Sequence, residues 1–399
     1  MEIILLTNRN KRDKLIDRIK RQETERMKKI LIILNYYYPY VSGVSEYARI
    51  LAQELVQNGH EVTVLTSNHA ALKAEEWING VKVLRTPVIC KISKGTISPS
   101  FITRAVRLAK DADVVNMHLP MIESGIISRG IDTGKLLVTY HCDIQLPRTI
   151  LNRLIMGCMD ISNNSCLKKS ARIAVQTKDY AEHSRVAYRY RKKFVETATP
   201  IKEYSRKSVI REAGKKVIGF CGRLVEEKGI DVLLKAYEIL CREEDDLLLK
   251  IAGDHKAVAG GSIYAALKHY IEEHHMENVI FTGKLKEEEM EAFYSSLDVF
   301  VLPSINSLEA FGMVQIEAMY CGTPVVTTDL YGVRTIVKRT GMGVVVERNN
   351  ADALADGLRE VLRHRESYIR PKETIQQYYG TAHCVSVYER MMNEMSEGI

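Results

Sequence analysis

The 399-residue sequence predicts an α/β protein built from two doubly wound, Rossmann-like parallel-sheet domains. Three observations carry this. The length exceeds what one ordinary core organises. Short, near-continuous apolar runs alternate with helix-length segments, as in parallel sheets covered on both faces. The alternation then restarts after "TATPIKEY" (197–204).

In the first half the predicted strands are 29–34, 61–66, 81–85, 113–117, 135–140 and 171–175. Between the first two, "VSEYARILAQELVQNGH" predicts an amphipathic helix starting near Ser45. Its apolar face is Tyr47, Ile50, Leu51 and Leu55, and it stops at Asn58–Gly59. In the second half the predicted strands are 216–222, 247–253, 278–283, 298–303, 324–328 and 343–347. The helices between them include "IDVLLKAYEILCRE" and "KEEEMEAFYSSL", and the tail reads as one or two helices. The expected domains are 27–200 and 201–375, with 376–399 as a C-terminal helix returning to the first domain. Residues 1–26 run from "MEIILL" into a mostly charged stretch, after which "MKKILIILN" resembles a fresh start. They are expected to be an extension.

Composition excludes several classes. Hydrophobic residues are 46% and charged residues 27%, so the chain is globular. No run of 18 apolar residues is present to span a membrane, and no apolar segment with a cleavage site follows the N-terminus. Eight cysteines lack C-x-x-C pairing and read as reduced core residues of a cytoplasmic protein. The net charge of +7 suits an anionic partner, whether sugar nucleotide, anionic lipid or nucleic acid, and selects none of them. Residues 145–194 hold 11 Lys or Arg against three acids. They form a candidate surface for an anionic membrane beside the alternative of a solvated face.

Parallel sheets bind ligands beyond the carboxyl ends of their strands. After the first strand, Pro39 and Gly43 make a turn before a helix N-terminus that can receive an anion. A lone glycine there does not make a dinucleotide fingerprint. After strand 216–222, Arg223 and Lys228 place two cations in one loop, fit for a diphosphate or for pairing with Glu226 and Glu227. His118 is expected just beyond one strand, and His141 with Asp143 beyond the next. No spacing supports a zinc site.

In "EAFGMVQIEAMYCGTPVV", Glu317 is the single charge between Ala310 and Thr328. A helix is expected from about Gly312 to Cys321–Gly322, with Glu309 in the loop before it. Gly312 and Met313 then offer unpaired amides at its positive end. A carboxylate inside an apolar helix needs donors, which a ribose supplies through two hydroxyls. Glu309 reaches further along the same ligand, to the sugar.

These residues resemble the retaining glycosyltransferases of family 4, which have the GT-B fold. The resemblance rests on "GRLVEEKG", on "VLPS" followed by the Glu309–Glu317 stretch, and on "YYPYVSGVSEYARILAQELVQNGHEVTVLTS", and it covers about 27–399. It implies two domains facing a cleft. Glu309 would bind the donor hexose, and Phe311, Gly312, Met313 and Val314 would place amides near the sugar and diphosphate. Glu317 would hold the ribose, while Arg223, Lys228 and Gly43 would meet the diphosphate. His118 would contact the transferred sugar, and His141 and Asp143 would lie on the acceptor side. Cys142 replaces the serine many members carry there, and His255 replaces a glycine in a loop near the nucleobase. "ATPIKEY" lacks the usual linker's Asn, Gly and Asp.

The resemblance further implies a hexosyltransferase of the mannose or glucose type that uses a UDP-, GDP- or ADP-sugar. It would need no metal or other cofactor and would act on a lipid-linked or saccharide acceptor, with no nucleic acid partner. Apart from the resemblance, the expected location is cytoplasmic, with the basic 145–194 region as the candidate for peripheral binding to the inner face of the membrane beside the solvated alternative. The alternatives are a GT-B sugar-nucleotide epimerase or phosphorylase and a non-catalytic sugar-nucleotide-binding protein.

Overall fold

The computed structural model describes residues 27–92, 95–146, 149–209, 212–255 and 261–397. The expected extension 1–26 lies outside them. Among the described residues the chain forms two compact units. One comprises 27–139, 161–173 and 392–397, and the other comprises 140–160 and 174–391.

In the first unit, β1 (Lys29–Ile33) leads through a loop into α1 (Gly43–Gln57). This helix starts two residues before the expected Ser45 because Ser42 caps it. The Ser45 amide donates to the Ser42 hydroxyl at 3.2 Å, and the Ser42 amide donates to the Ser45 hydroxyl at 2.8 Å. Tyr47, Leu51 and Leu55 are buried, as the helical period requires. Then come β2 (Glu61–Ser67), β3 (Glu75–Ile78), β4 (Val81–Thr86), β5 (Cys90–Ile92), β6 (Gly95–Ile97), α2 (Pro99–Asp111), β7 (Val114–Leu119) and α3 (Ser124–Arg129). β1 pairs in parallel with β2 and β7, and β2 with β4, while β3 runs antiparallel on β4. β3 and the small β5–β6 hairpin were not expected. β3 reads Glu-Glu-Trp-Ile with alternating exposure and no apolar run.

β8 (Leu136–Tyr140), α4 (Ile150–Lys169), β9 (Arg172–Val175), α5 (Lys178–Glu182) and β10 (Phe194–Glu196) follow. The sheet order is β10-β9-β8-β7-β1-β2-β4-β3. Near the C-terminal end, Ser396 Oγ accepts from Lys28 Nζ at 2.8 Å.

The second sheet is wholly parallel, in the order β13-β12-β11-β14-β15-β16. Its elements are β11 (Lys216–Cys221), α6 (Ile230–Cys241), β12 (Leu247–Ala252), α7 (Tyr264–Glu273), β13 (Val279–Gly283), α8 (Glu287–Ser295), β14 (Val299–Leu302), α9 (Met313–Tyr320), β15 (Val325–Thr328), α10 (Val333–Thr340), β16 (Gly343–Val346) and α11 (Ala351–Arg363), then α12 (Lys372–Tyr379) and α13 (Thr381–Glu397). Successive strand residues enter opposite cores. Val217, Leu248, Phe300 and Val325 pack with α8 and α9, whereas Ile218, Leu249, Val301 and Val326 pack with α6 and α11. Both faces being covered explains why these strands are continuously apolar in sequence.

The cysteine expectation needs correction. None of the eight is in a disulfide, but Cys90, Cys158 and Cys241 are exposed, Cys142 and Cys221 are half-buried, and Cys166, Cys321 and Cys384 are buried. No helix among the described residues is long and apolar enough to cross a membrane.

Candidate functional site

The loops beyond β11 and β14 in the second unit are drawn together by glycines. Gly222 donates to Ala252 O at 3.0 Å, and Gly253 to Gly283 O at 2.9 Å. A Cβ on Gly253 would lie 2.0 Å from Gly222 O, so no side chain fits. Gly229 turns with φ +65°, and a Cβ there would lie 2.2 Å from Pro303 O. Ile305 N–H donates to Glu227 O at 3.0 Å. The β11–α6 loop is thereby laid edge to edge against the β14–α9 loop.

That edge sets Lys228 beside Glu309. The two form an ion pair with each side chain only 14% exposed. Arg223 is more exposed and pairs with Glu227 at 3.0 Å. Of the two expected diphosphate cations, Arg223 has the local surface pairing and Lys228 does not.

Gly312 caps α9 in the left-handed region at φ +84°, where a Cβ would meet Leu302 Cδ2 at 2.5 Å. The amides of Met313 and Val314 follow in the first helical turn, which has no preceding carbonyls to pair with. Phe311 turns its ring inward, edge-on to Tyr379 at 5.9 Å, so only its backbone faces the loop. One turn on, Glu317 accepts from the Tyr294 hydroxyl at 2.8 Å. Burial lifts the Glu317 pKa to about 7, against the lowering effect of that hydrogen bond. Burial, with Glu317 nearby, also pushes the Cys221 thiol up to about 12. The carboxylate that sequence assigns to a ribose thus already has a protein donor, Tyr294, which sequence reasoning did not find. A tyrosine on an apolar helix face carries no spacing signal for a partner 23 positions away.

Beyond β8, His141 and Asp143 lie past the strand end, as expected. Burial drives the His141 pKa down to about 3, leaving a neutral imidazole. Asp143 accepts from Tyr140 Oη at 2.5 Å, Ser184 Oγ at 2.8 Å and Arg185 N–H at 3.0 Å. Its own amide donates to Tyr180 Oη at 2.8 Å. Burial, then Asp143 and Glu309, push the Cys142 thiol up to about 12. Asp143 is the hub of a buried network as well as a strand-end acid.

Asp143, Tyr180, His183, Ser307, Leu330, Tyr331 and Arg348 line a cavity of about 60 Å³. His183 stacks on Tyr331 with ring centroids 3.6 Å apart, and Arg334 lies over the same ring at 4.6 Å. Asp179 accepts from Gly332 N–H at 2.8 Å and from Arg334 at 2.7 and 3.0 Å. Burial opposes its ionisation, but Arg334 and the Gly332 amide hold its pKa below the ordinary value. This clasp was not read from sequence either.

In the first unit, His118 corrects the expectation. It lies inside β7 rather than just beyond it, 2% exposed and edge-on to Tyr47 at 5.9 Å. Gly43 opens α1, and a Cβ there would meet no atom within 4 Å. His255 stacks on Tyr264 at 4.4 Å; the rest of its loop, 256–260, lies outside the described residues. Among the described residues no group of three or more His, Cys, Asp or Glu is placed to hold a metal ion.

Residues 201–378 match the family profile described as glycosyl transferases group 1, and residues 41–197 match glycosyltransferase family 4. An uncharacterized glycosyltransferase of Methanocaldococcus jannaschii is 27% identical over 370 residues, covering 84% of this chain and 89% of the relative. A phosphatidyl-myo-inositol mannosyltransferase of Mycobacterium leprae is 26% identical over 373 residues, covering 88% and 92%. The solved sucrose-phosphate synthase of Thermosynechococcus elongatus matches with a TM-score of 0.73 at 17% identity, covering 93% of this chain and all of that one. The last likeness is one of fold, GT-B.

Proposed function

Because the chain belongs to the group 1 glycosyltransferases of family 4, we propose that it moves a mannose- or glucose-type hexose from a nucleoside diphosphate sugar to a lipid-linked or saccharide hydroxyl. Transfer retains the anomeric configuration and uses no metal. The observation that carries the reading is the Lys228–Glu309 pair, set ahead of the α9 N-terminus with Glu317 one turn inside. The M. leprae relative's mannosyltransferase name favours mannose.

The paired residues divide one ligand between them. An arriving diphosphate competes for Lys228 and releases Glu309 to accept hydroxyl protons from the hexose. Arg223, on its exposed loop, adds a second cation by exchanging its surface partner Glu227. The amides of Met313 and Val314 supply fixed dipoles to the same charge. Glu317, held by Tyr294, takes the ribose hydroxyls.

In the chemical step the bond from the anomeric carbon to the diphosphate oxygen breaks. The acceptor oxygen bonds to that carbon on the same face, and its proton passes to the leaving diphosphate. Stabilising that departing charge is the protein's largest contribution.

A thermal-shift screen of UDP, GDP and ADP and their sugars tests this, followed by mass spectrometry of the product. The matching nucleotide is expected to stabilise the chain by about 2.7 kcal/mol at about 100 times its Kd. A shift from none of them overturns the reading. A nucleotide sugar consumed without a glycosylated acceptor, its sugar epimerised instead, favours the epimerase.

A further inference from the structure

Helix α4 carries aliphatic residues on its outside. Ile150 is 81% exposed, and Leu151 and Leu154 are each 64% exposed. Positions 150, 154 and 158 share one face, and Cys158 is exposed as well. From 150 to 159 the one charge is Arg153, also exposed, and there is no acid. A helix in a globular protein turns its aliphatic stripe inward, so three such neighbours turned outward mark an interaction surface.

The charges around this stripe select what covers it. The first acid along the helix, Asp160, is neutralised by Arg185 at 2.7 and 2.9 Å. Three residues beyond Arg185 begins the run Tyr188–Lys193, acid-free, with Arg189, Arg191 and Lys192 exposed. At most about 3.5 Å per residue separates that run from Arg185, so its start lies within about 10 Å of the residue clamped to α4. A second copy meeting this face about a two-fold axis would set the cations against their own copies. An anionic surface complements both features.

We propose that this face of α4 docks on an anionic phospholipid bilayer. Ile150, Leu151 and Leu154 enter the boundary between headgroups and acyl chains, and Arg189, Arg191 and Lys192 meet lipid phosphates. Basic residues alone suggested a membrane from sequence; the outward aliphatic stripe supplies the inserting element and its place. The proposal holds for whichever acceptor the enzyme uses.

Flotation of the full chain tests it, with vesicles of phosphatidylcholine alone or of phosphatidylcholine mixed with phosphatidylglycerol. The wild-type chain is expected to float with the mixed vesicles and less with the neutral ones. Ile150→Ser with Leu154→Ser is expected to lower the bound fraction about tenfold. Arg189→Gln with Arg191→Gln and Lys192→Gln is expected to remove the preference for anionic vesicles. Because all five side chains are exposed, both variants should keep the wild-type melting temperature.

A wild-type chain that stays unbound, or a serine variant that floats like wild type, overturns the proposal. So does a chain that sediments as a dimer, becomes monomeric in the serine variant and floats with neither vesicle; that result assigns the face to a second copy. No nucleotide enters the assay, so its outcome is separate from that of the sugar-transfer reading.

Discussion

Lys228 and Glu309 stand 81 positions apart and form one ion pair, because Gly229 lets the first loop press against Pro303 O of the second. Each is the other's partner within the protein and a candidate for a different part of the donor. Lys228→Ala leaves Glu309 partly buried without its partner and, on the proposed assignment, removes a cation from the developing diphosphate charge. kcat/KM is expected to fall roughly 10²–10³-fold. In denaturant melts, Lys228→Ala with Glu309→Gln is expected to lose less stability than the two single changes added together. Unchanged turnover in Lys228→Ala would remove Lys228 from the chemistry.

Glu317 makes stability depend on pH in an unusual direction for an acid. Burial raises its folded pKa to about 7 from the ordinary 4.5, so the folded state holds the proton longer than the unfolded one. The resulting stabilisation is fully present below about pH 4.5 and is lost as pH rises through about 7. Its ceiling is about 3 kcal/mol at about 1.36 kcal/mol per pKa unit. Melting temperatures of wild type and Glu317→Gln, compared from about pH 5 to about pH 8.5, should diverge in favour of the variant as pH rises. Parallel curves contradict the assignment.

Tyr294 holds Glu317 and also packs with Phe293 and Phe300. Tyr294→Phe keeps the ring packing and removes the donor. Nucleoside diphosphate affinity, measured by calorimetry, is expected to drop about 3- to 10-fold, in line with loss of a hydrogen bond to a charged group. Equal affinity in the variant would show that the Tyr294 hydroxyl does not orient Glu317 for a ligand.

Asp143→Ala strips the acceptor from Tyr140, Ser184 and the Arg185 amide at once. Chemical denaturation is expected to show a loss of roughly 2–4 kcal/mol, the scale of a broken buried network around a charge. A loss under about 0.5 kcal/mol, typical of surface changes, would mean the network closes without it.

Gly253→Ala tests the glycine seam. Its Cβ would sit 2.0 Å from Gly222 O, so the ends of β11 and β12 must part. Nucleotide binding is expected to weaken together with thermal stability. Wild-type values for both would show that the seam yields without disturbing the loops it positions.

By itself, the sequence determined the twelve principal strands, which appear within one or two residues of their expected bounds, and the second sheet's two-faced burial. It also located the acids of the 309–317 stretch on a loop and a helix. Those features follow from local rules: apolar runs, helical period, and a glycine or serine where a helix begins or ends. β3 and β10 escaped because short edge strands lack an apolar run. His118 was placed one step too late because nothing local shows that β7 continues to Leu119. Tertiary structure alone decided the partners. Lys228 with Glu309, Glu317 with Tyr294, Asp143 with Ser184, and Asp179 with Arg334 join positions 23 to 155 apart. Such pairs depend on which strand ends the sheet order brings side by side and on glycines thin enough to let two loops touch. Neither condition has a period that can be read along the chain.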